Sequence, residues 1–147
     1  MTEWTTNVVQ VTIRAAGDVD GRVDVSNVGT PEAVVSLTIG SSLCRLVSRV
    51  TTRKVRENWE RAGINTNRLP ERVSQTWLGP DLGIAPVGAV VKLVDPPVAS
   101  HLVPRNDQHR RPVHLAIQVG PVVWVVLDRT AYRTMLDLWR RAERAFG

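Results

Sequence analysis

At 147 residues the chain has the length of one ordinary domain, long enough to bury a hydrophobic core without disulfides or a structural metal. Apolar residues make up 43% of it and charged residues 22%, which is typical of a globular protein and excludes a disordered tail. The formal net charge is +5. Its apolar runs are too short to cross a bilayer, and the N-terminus lacks a basic region followed by an apolar core. A cytoplasmic protein without a membrane partner is therefore expected.

The N-terminal part of the chain has the period-two alternation of β-strands. Val9, Val11 and Ile13 alternate with polar residues, and the alternation resumes in GRVDVSNV after an Asp-Gly step. These two segments predict a β-hairpin. A third strand is predicted in AVVSLTIG, which ends at Gly40.

Helical spacing predicts a cluster of three short helices in residues 42–79. The first begins at Leu43, because leucines and valines recur there every three or four residues. The second ends at Gly63, since glycine commonly follows the last turn of a helix. The third begins at Pro70, whose missing amide costs nothing in a first turn, and ends at Gly79.

The C-terminal part returns to strands and closes with a helix. AVVKLVD predicts one strand, and VHLAIQVGPVVWVVLD predicts a hairpin that turns at Gly120 and Pro121. Asp128 is expected to cap the last helix. The apolar face of that helix has helical spacing and comprises Tyr132, Met135, Leu136, Trp139, Ala142 and Phe146.

The predicted fold is a single α+β domain spanning residues 1–147. It comprises an N-terminal β-hairpin plus a strand, a central cluster of short helices, and C-terminal antiparallel strands followed by a packed terminal helix in residues 112–147. No internal repeat is apparent along the chain. The single cysteine, Cys44, has no partner for a disulfide and is expected to be a buried apolar residue.

No catalytic motif is present in the sequence. Nucleophilic catalysis needs a nucleophile and an oriented base, and Cys44 has no neighbouring histidine. The histidines His101, His109 and His114 are spaced too irregularly for two metal ligands on one helical face. No glycine-rich phosphate loop or dinucleotide motif occurs either. We therefore expect a non-enzymatic protein with no cofactor and no metal.

The basic residues are concentrated in two blocks. Residues 43–72 contain eight basic and three acidic residues, and residues 105–147 contain eight and four, while the rest of the chain is acidic. All the basic residues except Lys54 and Lys92 are arginine, which binds phosphate and base edges bidentately. A GC-rich genome also favours arginine, and solvated helix faces also concentrate charge. The positions of the arginines are therefore more informative than their number.

The segment WERAGINTNRLPERVSQTWLG is typical of two helices joined at Gly63, as in a helix-turn-helix. In that motif the second helix enters the DNA major groove, where amide and guanidinium groups read adenine and guanine. Trp59 and Pro70 depart from the motif, because a small residue usually lets the helices approach and a proline shortens the second helix. Glu71 opposes phosphate binding. The candidate nucleic-acid-binding residues are Asn65, Asn67, Arg68, Arg72 and Gln75 toward the bases, with Arg53 and Arg56 on the phosphates.

A secondary basic loop, RNDQHRRP, contains Arg105, Arg110 and Arg111, which could also meet phosphate. The preferred prediction is an accessory or regulatory protein that binds nucleic acid, with DNA as the first candidate and RNA as the next. The alternative is a protein-interaction or structural assembly subunit, homo- or hetero-oligomeric, with no affinity for nucleic acid. Its support is the presence of five tryptophans, since this residue is enriched in interface hot spots.

Overall fold

The computed structural model describes residues 10–40, 42–73 and 89–147, and in them the chain forms two four-stranded β-sheets and two α-helices. The predicted single α+β domain is confirmed. No helix in this part of the chain is long and apolar enough to cross a membrane. The strands are β1 (Val11–Ala15), β2 (Gly21–Ser26), β3 (Val34–Ile39), β4 (Ser42–Leu46), β5 (Ala89–Leu93), β6 (Val98–Val103), β7 (His114–Val119) and β8 (Val122–Val126), and the helices are α1 (Arg49–Ala62) and α2 (Arg129–Arg144).

The two sheets have the same topology. Sheet I has the strand order β1-β8-β7-β6, and sheet II has the order β5-β4-β3-β2. Each sheet contains three consecutive antiparallel strands, with a parallel strand at one edge: β1 beside β8, or β5 beside β4. The parallel strand comes from the other half of the chain, because β1 precedes β2 and β5 precedes β6. The two halves therefore exchange their first strands.

This shared topology exposes an internal repeat, and the expectation that the chain has none is wrong. Residues 33–63 align without a gap with residues 113–143. Both hairpins turn at a glycine with positive φ, 58° at Gly40 and 56° at Gly120. Few residues are identical, because what the halves share is mainly a pattern of burial. We call the segment from β1 to α1 repeat 1 and the segment from β5 to α2 repeat 2. The identical pairs are Gly40/Gly120, Arg49/Arg129, Arg53/Arg133, Trp59/Trp139, Arg61/Arg141 and Ala62/Ala142.

The core forms around the two helices, which pack on each other and on strands of the opposite repeat. α1 contacts β6 and β7, and α2 contacts β2 and β3. Trp59, Trp124 and Trp139 are almost completely buried, with ring centroids 6.1–6.4 Å apart. Aromatic contacts at such distances add to the stability gained from burial. Cys44 is also buried, as expected, and burial raises the pKa of its thiol to about 11.

The helix predicted to begin at Leu43 is wrong, because Ser42–Leu46 forms strand β4. In β4 the side chains alternate, so that Cys44 is buried while Arg45 is exposed. A short apolar run fits both the helical and the strand period. Hydrogen bonding to β3 on one side and to β5 on the other decides in favour of the strand. The helix itself begins at Arg49.

The N-terminal hairpin is formed by β2 and β3, whereas β1 does not pair with β2. Instead β1 joins β8, with Val11 opposite Val122. The alternation in this part of the sequence correctly predicts three strands. The alternation does not predict which strands pair with each other, because a parallel partner can be distant along the chain.

The third helix of the predicted central cluster does not form in its described part. After α1 the chain continues as a 3₁₀ helix, Gly63–Arg68, and residues 69–73 are irregular. Residues 74–79, which include Gln75, lie outside the described residues. The later predictions are confirmed: AVVKLVD contains β5, the two apolar runs form the β7–β8 hairpin, and Asp128 caps α2.

Candidate anion-binding pocket

The basic residues of α1 that were expected on phosphates face carboxylates. The Arg56 guanidinium donates to Glu143 Oε1 at 2.9 Å and to Glu60 Oε2 at 3.1 Å. Arg53 Nε lies 3.8 Å from a Glu143 oxygen. The hydrogen bond to Glu143 raises the pKa of Arg56 further above its usual range. These contacts join α1 to α2, so Arg56 is already engaged by two carboxylates.

The residues expected to read bases lie in and after the 3₁₀ helix. Asn65 is partly buried there, while Asn67 and Arg68 are exposed. Arg72 follows the 3₁₀ helix, and its Nη2 donates to Asp18 Oδ2 at 3.1 Å. No second helix presents these side chains on one face in the described residues, so the reading surface of a helix-turn-helix is not assembled there.

A different set of basic residues surrounds a pocket on the outer face of sheet I, beside the loop between β6 and β7. The pocket has a volume of about 390 Å³. Its apolar lining, which we call the floor, comprises Pro112, the half-buried Val125 and the almost fully buried Leu127. No acidic side chain is among the described residues that line it. The basic side chains that line it are those of Arg14, His109, Arg110, Arg111 and His114.

Strand alternation brings Arg14 and Val125 to this face of sheet I. Strands β1 and β8 pair in parallel, with Arg14 opposite Val125. The neighbours of Val125, Trp124 and Val126, are buried on the inner face. Because β1 and β8 lie near opposite ends of the described chain, the pocket exists only when sheet I is assembled.

The loop beside the pocket is closed by its own hydrogen bonds. The backbones of Asn106 and Arg111 exchange two hydrogen bonds, of 2.9 and 2.8 Å. Asn106 Oδ1 also accepts from the amides of Gln108 and His109. Arg110 has a φ of 50°, in the left-handed region that disfavours residues with a Cβ. Such a conformation costs on the order of 1–3 kcal/mol and is concentrated at functional sites. Glycine would adopt this conformation without that cost.

His114 contributes a neutral ring to the pocket rather than a charge. It begins β7, and its Nδ1 donates to the Pro112 carbonyl at 3.0 Å. Burial lowers the pKa of His114, and the nearby charge of Arg111 lowers it further, although the bond to Pro112 acts the other way. The positive charge of the pocket at neutral pH therefore comes from its arginines.

The secondary basic loop predicted from the sequence is divided between two places. Arg110 and Arg111 line the pocket, while Arg105 lines a neighbouring groove of about 150 Å³ with Val73. Arg105 Nε also donates to Asp107 Oδ1 at 2.6 Å. Sequence reasoning missed the role of β1 in this site. The one available signal was an arginine on the polar side of an alternating strand, which did not indicate what that strand would pair with.

The corresponding loop of repeat 1 differs from the pocket loop. It spans residues 27–33, and is shorter than residues 104–113 of repeat 2. It contains Glu32 and no arginine. Val34 occupies the position that His114 has in repeat 2. The basic pocket is thus a feature of sheet I, where β1 of repeat 1 meets the loop of repeat 2, and the shared fold does not require it.

The described residues contain no cluster of three or more His, Cys, Asp or Glu side chains that could hold a metal ion. No family model, curated protein or solved structure matches the chain. The function is therefore inferred from the pocket itself.

Proposed function

We propose that the protein binds nucleic acid without catalysing a reaction, and that the pocket of sheet I holds the phosphate backbone. One observation carries the proposal: Arg14, Arg110 and Arg111 converge on a pocket with no acidic side chain among its described lining. Guanidinium groups bind phosphate oxygens bidentately. Phosphate contacts supply most of the affinity of proteins for nucleic acid. Within the described residues, the Arg110 side chain has no hydrogen bond or ion pair that would compete.

Many arginines outside the pocket are paired with carboxylates. Arg129 and Arg133 both contact Glu71. Arg140 lies 3.3 Å from Glu60. Such pairs reduce the positive field that an anion would meet at these places. Arg110 differs from these arginines, because no carboxylate among the described residues contacts its side chain.

The test compares two double substitutions with the same change of charge. Arg110→Glu with Arg111→Glu alters the pocket, and Arg68→Glu with Arg72→Glu alters the region that the sequence favours. Binding of fluorescein-labelled DNA of mixed sequence, single-stranded and duplex, is measured by anisotropy across a salt series. We expect the pocket variant to bind at least about tenfold more weakly and to lose about 2 from its salt slope, because each lost phosphate contact removes about one unit. The other variant should lose less.

Thermal unfolding checks that both variants fold. A larger loss of binding in the Arg68 and Arg72 variant would indicate that the phosphate site lies at the 3₁₀ helix and not in the pocket. Failure of the wild-type protein to bind either DNA at low salt would reject the proposal. Arg110→Gly is a gentler variant, because glycine relieves the left-handed backbone of the loop. It should unfold at the same or a higher temperature than the wild type and still bind DNA more weakly.

The second candidate function, an assembly subunit without affinity for nucleic acid, is supported by β5. This edge strand of sheet II exposes Val90, and Val94 follows it, with 72% and 63% of their surfaces accessible. Edge strands with exposed apolar side chains favour association with other chains. Light scattering distinguishes the two functions. A stable oligomer that binds no nucleic acid favours the assembly subunit.

A further inference from the structure

We infer that the pocket accepts an unpaired nucleotide, so that the protein prefers single-stranded nucleic acid over a duplex. This inference rests on the proposed function and names the class of nucleic acid that the pocket holds.

The pocket is concave and has an apolar floor. Its volume of about 390 Å³ lies within the range of roughly 300–1,000 Å³ found for sites that enclose small molecules. A duplex keeps its bases stacked inside and would present only phosphates, which leaves the accessible surface of Val125 in the floor uncovered. An unpaired base can cover that floor while its phosphate meets the arginines. The shape therefore favours a single strand.

Planar groups surround the floor. Guanidinium planes and imidazole rings both stack on unpaired bases, and Arg110 and His109 are exposed on the pocket loop. Thr12 of β1 also lines the pocket and is exposed, and its hydroxyl can donate to or accept from a base edge. The pocket thus contains groups for the phosphate, for the face of the base and for its edge.

The described residues do not form the second helix that a helix-turn-helix would insert into the major groove of a duplex. Major-groove reading requires a helix or a β-ribbon that fits the groove. The helix α1 is followed by the 3₁₀ helix Gly63–Arg68 and then by the irregular residues 69–73. The pocket arginines are instead arranged around a cavity, into which a flexible single strand can bend.

The experiment uses the full chain with a labelled single-stranded DNA, with the same strand annealed to its complement, and with adenosine monophosphate and inorganic phosphate as unlabelled competitors. We expect the single strand to bind at least about tenfold more tightly than the duplex, because stacking is available only to unpaired bases. Adenosine monophosphate should displace the strand at lower concentration than inorganic phosphate does. Arg110→Glu with Arg111→Glu should reduce the preference for the single strand and the advantage of adenosine monophosphate over inorganic phosphate as a competitor.

A matched control reverses two exposed arginines away from the pocket, Arg45→Glu with Arg61→Glu, and should leave the preference for the single strand unchanged. Equal or tighter binding to the duplex overturns the inference while the proposed function stands. The same conclusion follows if inorganic phosphate competes as well as adenosine monophosphate. Absence of binding to both nucleic acids overturns the proposed function itself.

Discussion

The two repeats agree on their inner faces and differ on their outer ones. Inside, Trp59 and Trp139 occupy equivalent positions, and both are fully buried. Outside, Arg22 of sheet II pairs with Asp24 at 2.8 Å, whereas sheet I has His101 in the place of Asp24. Close packing constrains the inner positions of both repeats. The outer positions carry no such constraint, and there sheet I has a basic, histidine-containing surface.

The N-termini of the two helices differ as well. Ser48 accepts one amide hydrogen bond, from the first turn of α1, at 3.4 Å. Asp128 accepts amide hydrogen bonds from Ala131 in α2 and also from Gly17 and Val73. Ser48 therefore caps only its own helix. Asp128 caps α2 and also binds the β1–β2 connection and the segment after the 3₁₀ helix.

The largest expected effect is on stability, and it shows whether both repeats contribute to one core. Trp59→Ala and Trp139→Ala should each lower the free energy of unfolding by about 3–5 kcal/mol, because each removes a fully buried indole. Urea unfolding followed by circular dichroism measures both losses. Trp59→Phe and Trp139→Phe serve as controls with smaller losses. A variant nearly as stable as the wild type would show that its repeat does not depend on the shared core.

Removal of the two caps should have unequal effects. Asp128→Ala should lower the free energy of unfolding by about 2–4 kcal/mol, because it removes the acceptor of one buried amide and of two partly buried ones, in three segments. Ser48→Ala should lower it by about 0.5–1 kcal/mol, the ordinary loss of a helix cap. Thermal unfolding of both variants under one buffer condition provides the measurement. Equal losses would mean that Asp128 acts only as a helix cap.

The hairpin glycines offer a narrower comparison. Gly40 and Gly120 both have positive φ, so alanine at either should cost about 1 kcal/mol. A Cβ at Gly120 would lie 3.0 Å from Pro96 Cβ, whereas no described atom lies within 4 Å of one at Gly40. Gly120→Ala should therefore cost about 1 kcal/mol more than Gly40→Ala. Chemical denaturation measures the difference, and a smaller loss at Gly120 would contradict the close contact with Pro96.

The smallest expected effect concerns pH. Burial holds the pKa of His114 below its ordinary value of 6.5, so the unfolded chain takes up this proton first as the pH falls. Stability is therefore lost as the pH falls from about 6.5 toward the folded pKa. His114→Val, which copies Val34 of repeat 1, should make Tm less sensitive to pH in this window. Melting curves from neutral to mildly acid pH measure this, and an unchanged sensitivity would assign the effect to other groups.

The sequence predicted an element correctly where the residues of one segment were sufficient to specify it. The segment from Arg129 to Phe146, which contains α2, has six apolar residues at helical spacing and an aspartate cap directly before it, and both features are local. Sequence reasoning failed at β4, where five residues satisfy two periods, and at Arg56, whose carboxylate partners include Glu143 on the other helix. The internal repeat was missed for a related reason, because similar burial does not require identical residues.

Local periodicity and capping chemistry are sufficient to specify which segments of this chain become its strands β1 to β3, its C-terminal hairpin and its last helix. They do not specify which strands pair, or which charged side chains come together. Arg14 and Arg110 share a pocket only because β1 lies parallel to β8. Strand pairing and the contacts between charged side chains depend on segments that are distant along the chain. The local pattern of residues in one segment does not predict those contacts.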